Sequence, residues 1–231
     1  MDDTNGADDA DAIPFRRRAD ACRAALEARD VEAVICFPRS NMTYLSGFAE
    51  ESMERHLLLF VTRDETVFLA PELYAEQLGN ETWIEDRRTW ADGDDPRRLI
   101  ASVVADLGTG SGDGDGGRVL LDDRMWKLFS RDIRRALPDC EFGLASEVMD
   151  DLRIAKDEHE LERMRESAEI TDGVSVAIQA LGSEAVGLTE TELAREIESR
   201  LTAAGGDGTS FEPVVGRGRT ARCRITVTAT G

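Results

Sequence analysis

The sequence predicts an α/β fold, a mixed sheet with flanking helices, on three observations. Short apolar runs bounded by turn residues alternate with stretches of helical periodicity. Hydrophobic residues make up 41% of the 231 residues, enough for a real core. No run approaches the length of about 18 apolar residues that a transmembrane helix needs.

The elements follow in order. Residues 1–12 are Asp/Ala/Gly-rich and are expected to form an acidic, disordered tail. Phe15, Ala19, Cys22 and Leu26 fall at helical spacing. Val31 to Phe37 is a short apolar run and reads as a buried strand that Pro38-Arg39-Ser40-Asn41 ends. Leu57–Val61 and Thr66–Leu69 are two strands separated by Arg63-Asp64-Glu65, a hairpin pattern. Asp95-Pro96 opens a helix with a capping carboxylate and a proline at the first position. Leu99, Ile100, Val103, Val104 and Leu107 supply its apolar stripe. Gly108 to Gly117 is a loop, and Arg118–Leu121 the next strand. A helix through Trp126, Phe129, Ile133 and Leu137 leads to a short strand at Cys140-Glu141-Phe142.

After Ser146 the pattern becomes helical. A long helix is expected over about Glu158 to Leu181, with Leu161, Met164, Ala168, Thr171, Val174 and Ile178 inward. Thr189-Glu190-Thr191-Glu192 is a capping box opening a helix with Leu193, Ile197 and Leu201 on one face. Gly205-Gly206 stops it. No strand pattern returns until Phe211. The expected organisation is a tail 1–12, a domain 13–146, a second module 147–215 and a discordant tail 216–231.

Charge excludes one class of function. Forty-seven acids against 28 bases give a net charge of −19, and Lys127 and Lys156 are the only lysines. Such a field repels phosphate backbones, so no nucleic-acid partner is expected. The acids are spread along the chain, as in a solubilising, halophile-like surface. The N-terminal segment lacks the apolar core of a signal peptide, which predicts a cytoplasmic protein without membrane contact. Cys22, Cys36, Cys140 and Cys223 form no CxxC pair and are expected reduced.

The candidate chemistry is thin. Gly112 to Gly117 fits GxGxxG but precedes a strand instead of following one, and Asp113 and Asp115 would repel a pyrophosphate. The same aspartates echo a calcium loop, but its twelfth position is Arg124 where a bidentate Glu is needed. His56 opens an apolar strand and reads as structural. His159 lies among acids at a helix start, where they favour the dipole. A Cys140–His159 pair has no supporting pattern. The sequons at Asn41 and Asn80 have no meaning without export. No catalytic, cofactor-binding or metal-ligating residue is assigned.

Four segments carry a resemblance. Ser40-Asn41-Met42-Thr43-Tyr44-Leu45-Ser46-Gly47-Phe48 resembles the N-x-x-Y-L-(S/T)-G-F element of creatinase-type N-terminal domains. Leu152-Arg153-Ile154-Ala155-Lys156-Asp157-Glu158-His159-Glu160-Leu161 resembles the linker and helix start of the prolidase, aminopeptidase P and creatinase family. Gly187-Leu188-Thr189-Glu190 with Glu192-Leu193-Ala194 resembles the start of that family's second catalytic-domain helix. Gly208 to Val215 resembles the strand that enters its pita-bread domain. The resemblance implies a creatinase-type N-terminal domain followed by a truncated pita-bread α+β domain. It further implies an Xaa-Pro metallopeptidase acting on peptide substrates, with two divalent metals (Mn, Co or Zn) generating a hydroxide, and a homodimer formed through the N-terminal domain. The family's metal ligands all lie C-terminal to that strand, so this chain inherits none and is expected to be inactive as written. A non-catalytic dimerisation module and a remnant of a creatinase-like, metal-free amidohydrolase are the alternatives.

Residues 216–231 break the charge pattern, with Arg217, Arg219, Arg222 and Arg224 and no acid. The family continues Ser-Gly-Pro-Asn-Gly-Ala-x-Pro-His-His-x-x-Gly-Asp. Codons for Gly216 to Thr230, re-read from each third base, permit Ser-Gly-Pro-Asn-Gly-Ala-x-Pro-His-His-Arg-His-Gly-Asp. A change of reading frame near Gly216 is therefore expected, against a genuine basic tail.

Overall fold

The computed structural model describes residues 5–51, 54–108, 117–209, 211 and 213–216. It divides into two compact units, Met1–Ala155 and Lys156–Gly231.

The first unit is built on a six-stranded sheet in the order β4-β3-β2-β1-β5-β6. The strands are β1 (Ala33–Cys36), β2 (Leu58–Thr62), β3 (Thr66–Pro71), β4 (Asp86–Trp90), β5 (Arg118–Leu121) and β6 (Glu141–Leu144). β1, β2 and β3 are antiparallel neighbours, with Val34 opposite Val61 and Phe60 opposite Val67. β5 runs parallel to β1, β6 parallel to β5, and β4 parallel to β3.

The continuous apolar runs have a physical cause. β1, β2 and β3 are buried at every residue, because both faces of the sheet are covered. Side chains alternate between those faces. Val34, Cys36, Leu59, Val61, Phe68 and Leu120 join one cluster, and Ala33, Ile35, Leu58, Phe60, Leu69 and Val119 the other. The first face is covered by α1 (Asn5–Ala28), α2 (Ser40–Ser46), α3 (Ala75–Glu81) and α6 (Ser146–Ile154), through residues such as Leu26, Met42, Leu78 and Met149. The second is covered by α4 (Pro96–Asp106) and α5 (Lys127–Ala136), through Ile100, Val103 and Ile133. Asp95 caps α4 by accepting from the Arg97 N–H, with Pro96 in the first turn, as the sequence predicts.

Four features differ from expectation in this unit. The helix α1 starts at Asn5, inside the stretch expected to be disordered. Three further elements, α2, α3 and β4, are absent from the sequence reading. α2 has only seven residues, too few to display a helical stripe. β4 is an edge strand reading Asp-Arg-Arg-Thr-Trp and is buried only at Trp90; charged edge residues discourage further strand pairing. The Gly112–Gly117 string, with Asp113 and Asp115, lies outside the described residues except for Gly117.

The second unit holds α7 (Glu158–Ala180) and α8 (Glu190–Ala203). Both open with complete capping boxes, Asp157 with Glu160 and Thr189 with Glu192. Gly205 (φ +96°) and the Gly206 N–H bonded to the Leu201 carbonyl close α8. The expected inward stripe of α7 is buried only at Val174, and Met164 is 56% exposed. Among the described residues of this unit α8, at 14 residues, is the one α-helix beside the 23-residue α7, and it cannot cover its whole length. Phe211 and residues 213–216 form no strand, contrary to the expectation for Phe211 to Val215; a strand needs a neighbour to complete its ladder. The discordant tail beyond Gly216 lies outside the described residues.

Candidate functional site

β1 and β5 lie side by side and parallel, with Ile35 beside Leu121. The chain leaving β1 enters α2 on one face of the sheet, and the chain leaving β5 enters α5 on the other. The two connections part, and a crevice opens at the carboxyl ends of the strands. Such switch points are where parallel sheets admit ligands.

The crevice encloses about 310 Å³ and is lined by Arg39, Asn41, Asp122, Arg124, Asp150 and Arg153 with neighbouring polar residues. Its floor is Asp122, 6% exposed. One carboxylate oxygen accepts from Asn41 Nδ2 at 3.1 Å, the other from the Arg124 N–H at 3.2 Å. Burial pushes the Asp122 carboxyl above its usual range, and these hydrogen bonds oppose the rise. Asn41 in turn accepts from Arg153 Nη1 at 2.9 Å. Asp123 accepts from the Ser146 N–H at 2.9 Å, satisfying a first-turn donor of α6.

The same contacts explain the Asn41–Phe48 motif. The Tyr44 hydroxyl donates to the Leu152 carbonyl at 3.0 Å, and the Arg18 guanidinium sits 4.7 Å from the Tyr44 ring centroid. Ser46 Oγ donates to the Met42 carbonyl and accepts from the Phe48 N–H. Gly47 ends α2 at φ +84°, and an added Cβ there would lie 2.9 Å from the Phe15 ring. The motif is thus a tie between the β1–α2 turn and α6. Asn41→Ala should cost about 1–3 kcal/mol, because it removes a donor from buried Asp122 and the acceptor of Arg153. Urea unfolding of the two proteins checks this; an unchanged midpoint would show that the tie carries no stability.

His56, read from the sequence as structural, is buried in the first unit. It is 7% exposed, and its Nε2 lies 3.2 Å from Oδ2 of Asp132, itself 3% exposed, on α5. Its ring meets Phe129 edge-on at 4.7 Å, and its carbonyl accepts from Trp90 Nε1 at 3.0 Å. Arg131 and Arg135 pair with the other Asp132 oxygen. Burial holds the His56 pKa below 6.5, against the hydrogen bond and charge of Asp132. Stability is then complete above the unfolded pKa and falls as pH drops below about 6.5, because the unfolded chain takes the proton first. Urea midpoints should decline as pH falls from 7 through the unfolded pKa, and the decline should flatten in His56→Gln. Equal slopes in the two proteins would remove His56 as the cause.

Cys22 and Cys36 are buried free thiols, and burial pushes Cys22 up to about 12. Cys140 belongs to the first unit and His159 to the second. In the second unit, Ile170, Ile197, Leu201 and Phe211 contribute to a groove of about 600 Å³. Among the described residues no three His, Cys, Asp or Glu side chains are placed to hold a metal, and no helix is long and apolar enough to cross a membrane. The described residues therefore do not fit the two-metal site that the resemblance implies, and no metal-dependent step is assigned to them.

The match to known proteins follows this geometry. Residues 18–155 match the model of the creatinase/prolidase N-terminal domain. The chain belongs to this family. A putative dipeptidase of Bacillus subtilis, YkvY, is 28% identical over 187 residues, covering 79% of this chain and 49% of the relative. A probable dipeptidase of Mycobacterium tuberculosis, PepE, is 26% identical over 212 residues, covering 90% of this chain and 53% of the relative. The prolidase of Thermococcus sibiricus superposes with a TM-score of 0.78 at 26% identity, over 87% of this chain and 53% of that one. A dipeptidase of Pyrococcus horikoshii gives 0.74 at 29% identity, over 85% and 52%. The chain spans about half the length of these relatives.

Proposed function

We propose that this chain is the N-terminal part of an Xaa-Pro dipeptidase of the prolidase type. In this reading residues 13–146 are the creatinase-type domain and residues 147–215 the linker and first helices of the catalytic domain. The observation that carries it is the reach of the likeness beyond the N-terminal domain: 87% of the chain aligns with the Thermococcus prolidase, so the helices after Ala155 take part. The two-metal chemistry then belongs to a segment encoded after Val215, and the chain as written is inactive on Xaa-Pro peptides. The re-read codons of residues 216–230 support the same reading, because they permit the family's next fourteen residues in order.

Sequencing the gene from the Phe211 codon past the Gly231 codon tests the proposal. The expected result is an open frame running into Pro-His-His and the carboxylate ligands of the family. Confirmed bases with no such frame downstream would overturn it and leave a short module with a genuine basic tail.

A further inference from the structure

The crevice between β1 and β5 holds exposed charged groups that form no ion pair among the described residues. Arg39 stands at the entrance of α2, Arg124 on the turn after β5, and Asp150 on α6. Among the described residues none of the three has an ion-pair or hydrogen-bond partner for its charged group. In a chain carrying 47 acids and 28 bases, a guanidinium has many carboxylates to choose from. Three guanidiniums, of Arg39, Arg124 and Arg153, and three carboxylates, of Asp122, Asp123 and Asp150, line the same space of about 310 Å³; Asp122, Asp123 and Arg153 have hydrogen-bond partners in its wall, whereas Arg39, Arg124 and Asp150 do not close on each other. A gap flanked by opposite, unpaired charges is complementary to a molecule that carries both.

Size and field narrow the class. Ligand pockets begin at roughly 300 Å³, so this one admits a small molecule and not a folded partner. A simple anion would meet the arginines but also the repulsion of a chain with net charge −19. A simple cation would be drawn by that field and by Asp150 but would also meet the guanidiniums of Arg39 and Arg124. A net-neutral zwitterion escapes both penalties. Guanidiniums also match carboxylate geometry with paired donors.

We propose that this crevice binds a small zwitterion, a free α-amino acid or a dipeptide, with its carboxylate on Arg39 and Arg124 and its ammonium on Asp150. Asp122, Asn41 and Arg153 lie beneath as a hydrogen-bonded floor and hold the three segments in place. The site belongs to the first unit alone. It uses no metal and does not depend on the peptidase reading.

The test is an amide NMR titration of the full chain with glycylglycine, acetate and ethylammonium in turn. Glycylglycine should give saturable shifts centred on residues 39, 124 and 150, with a midpoint on the order of millimolar because the charges are exposed. Acetate and ethylammonium should each need about tenfold more. Arg39→Gln, Arg124→Gln and Asp150→Asn should each raise the glycylglycine midpoint about five- to tenfold, whereas Arg97→Gln, whose partner is Asp95, should not. No saturable shift up to roughly 50 mM, or midpoints unchanged in all three variants, would overturn the site. Acetate binding as well as glycylglycine would overturn the zwitterion and leave a plain anion site. Because no hydrolysis is read, either result leaves the peptidase proposal to its own test.

Discussion

On the proposed reading, inserting one base into the Gly216 codon is expected to turn an inactive product into a dipeptidase. The direction of the repair follows from the codons. Each re-read triplet begins on the third base of the preceding one, so that base of the Gly216 codon would serve both Gly216 and the serine after it. One missing base accounts for this, and one inserted base restores both residues. The unrepaired chain should hydrolyse Xaa-Pro dipeptides no faster than buffer. The repaired gene product should do so with the rate enhancement of an enzyme, roughly 10⁶-fold or more. That activity should vanish on chelation and return with a divalent metal, which would polarise the scissile carbonyl of the substrate and generate the hydroxide. A repaired product that folds, binds metal and remains inactive on a panel of Xaa-Pro dipeptides would sink the substrate assignment. A repaired frame without the metal ligands would sink the family's chemistry altogether.

The first unit was largely legible because burial on both faces leaves a plain mark. Ala33–Cys36, Leu58–Thr62 and Thr66–Pro71 are buried throughout and apolar apart from Thr62 and Thr66, the pattern of central strands covered on both faces. The α4 start was legible because Asp95 and Pro96 act on the nearest backbone donors. Contacts distant along the chain were not. Asn41 meets Asp122 across 81 residues and Arg153 across 112, and nothing local distinguishes these side chains from others of their kind. The resemblance picked out Asn41 and Arg153 in two separate motifs. Only the fold shows that the motifs touch, at the side chains just named and at Tyr44 with Leu152. The crevice was invisible for the same reason. Its charges come from three segments, and the parting of α2 and α5 to opposite faces is a property of the sheet order. In the second unit the sequence over-read burial: the spacing of Met164, Ala168 and Thr171 describes a face, and all three are exposed. Periodicity states which residues share a side of a helix; it does not supply the neighbour that would cover them.

Phe48→Ala should be the most damaging single substitution in the Asn41–Phe48 motif. Phe48 is fully buried. Its ring meets Phe68 at 5.9 Å and Tyr74 at 6.1 Å, both edge-on. These two rings come from β3 and from the turn after it, so Phe48 links the end of α2 to the far half of the sheet. Truncation removes its transfer free energy, leaves a cavity and breaks both aromatic contacts, about 3–5 kcal/mol together. A domain of this size has only about 5–15 kcal/mol in total, so the variant should be near unfolding at 37 °C. Phe48→Leu retains most of the volume and should cost less than half as much. Leu128→Ala is the contrast: the side chain is 42% exposed, and its loss should shift stability by no more than roughly 0.5 kcal/mol. Urea midpoints for the four proteins decide the matter. A Phe48→Ala cost below about 1 kcal/mol would mean that the core relaxes around the gap, and that the phenylalanine of this motif does not serve packing. The ranking of Ala below Leu matters as much as the size of the loss, since a backbone effect at the end of α2 would penalise both alike, whereas a packing effect follows the volume removed.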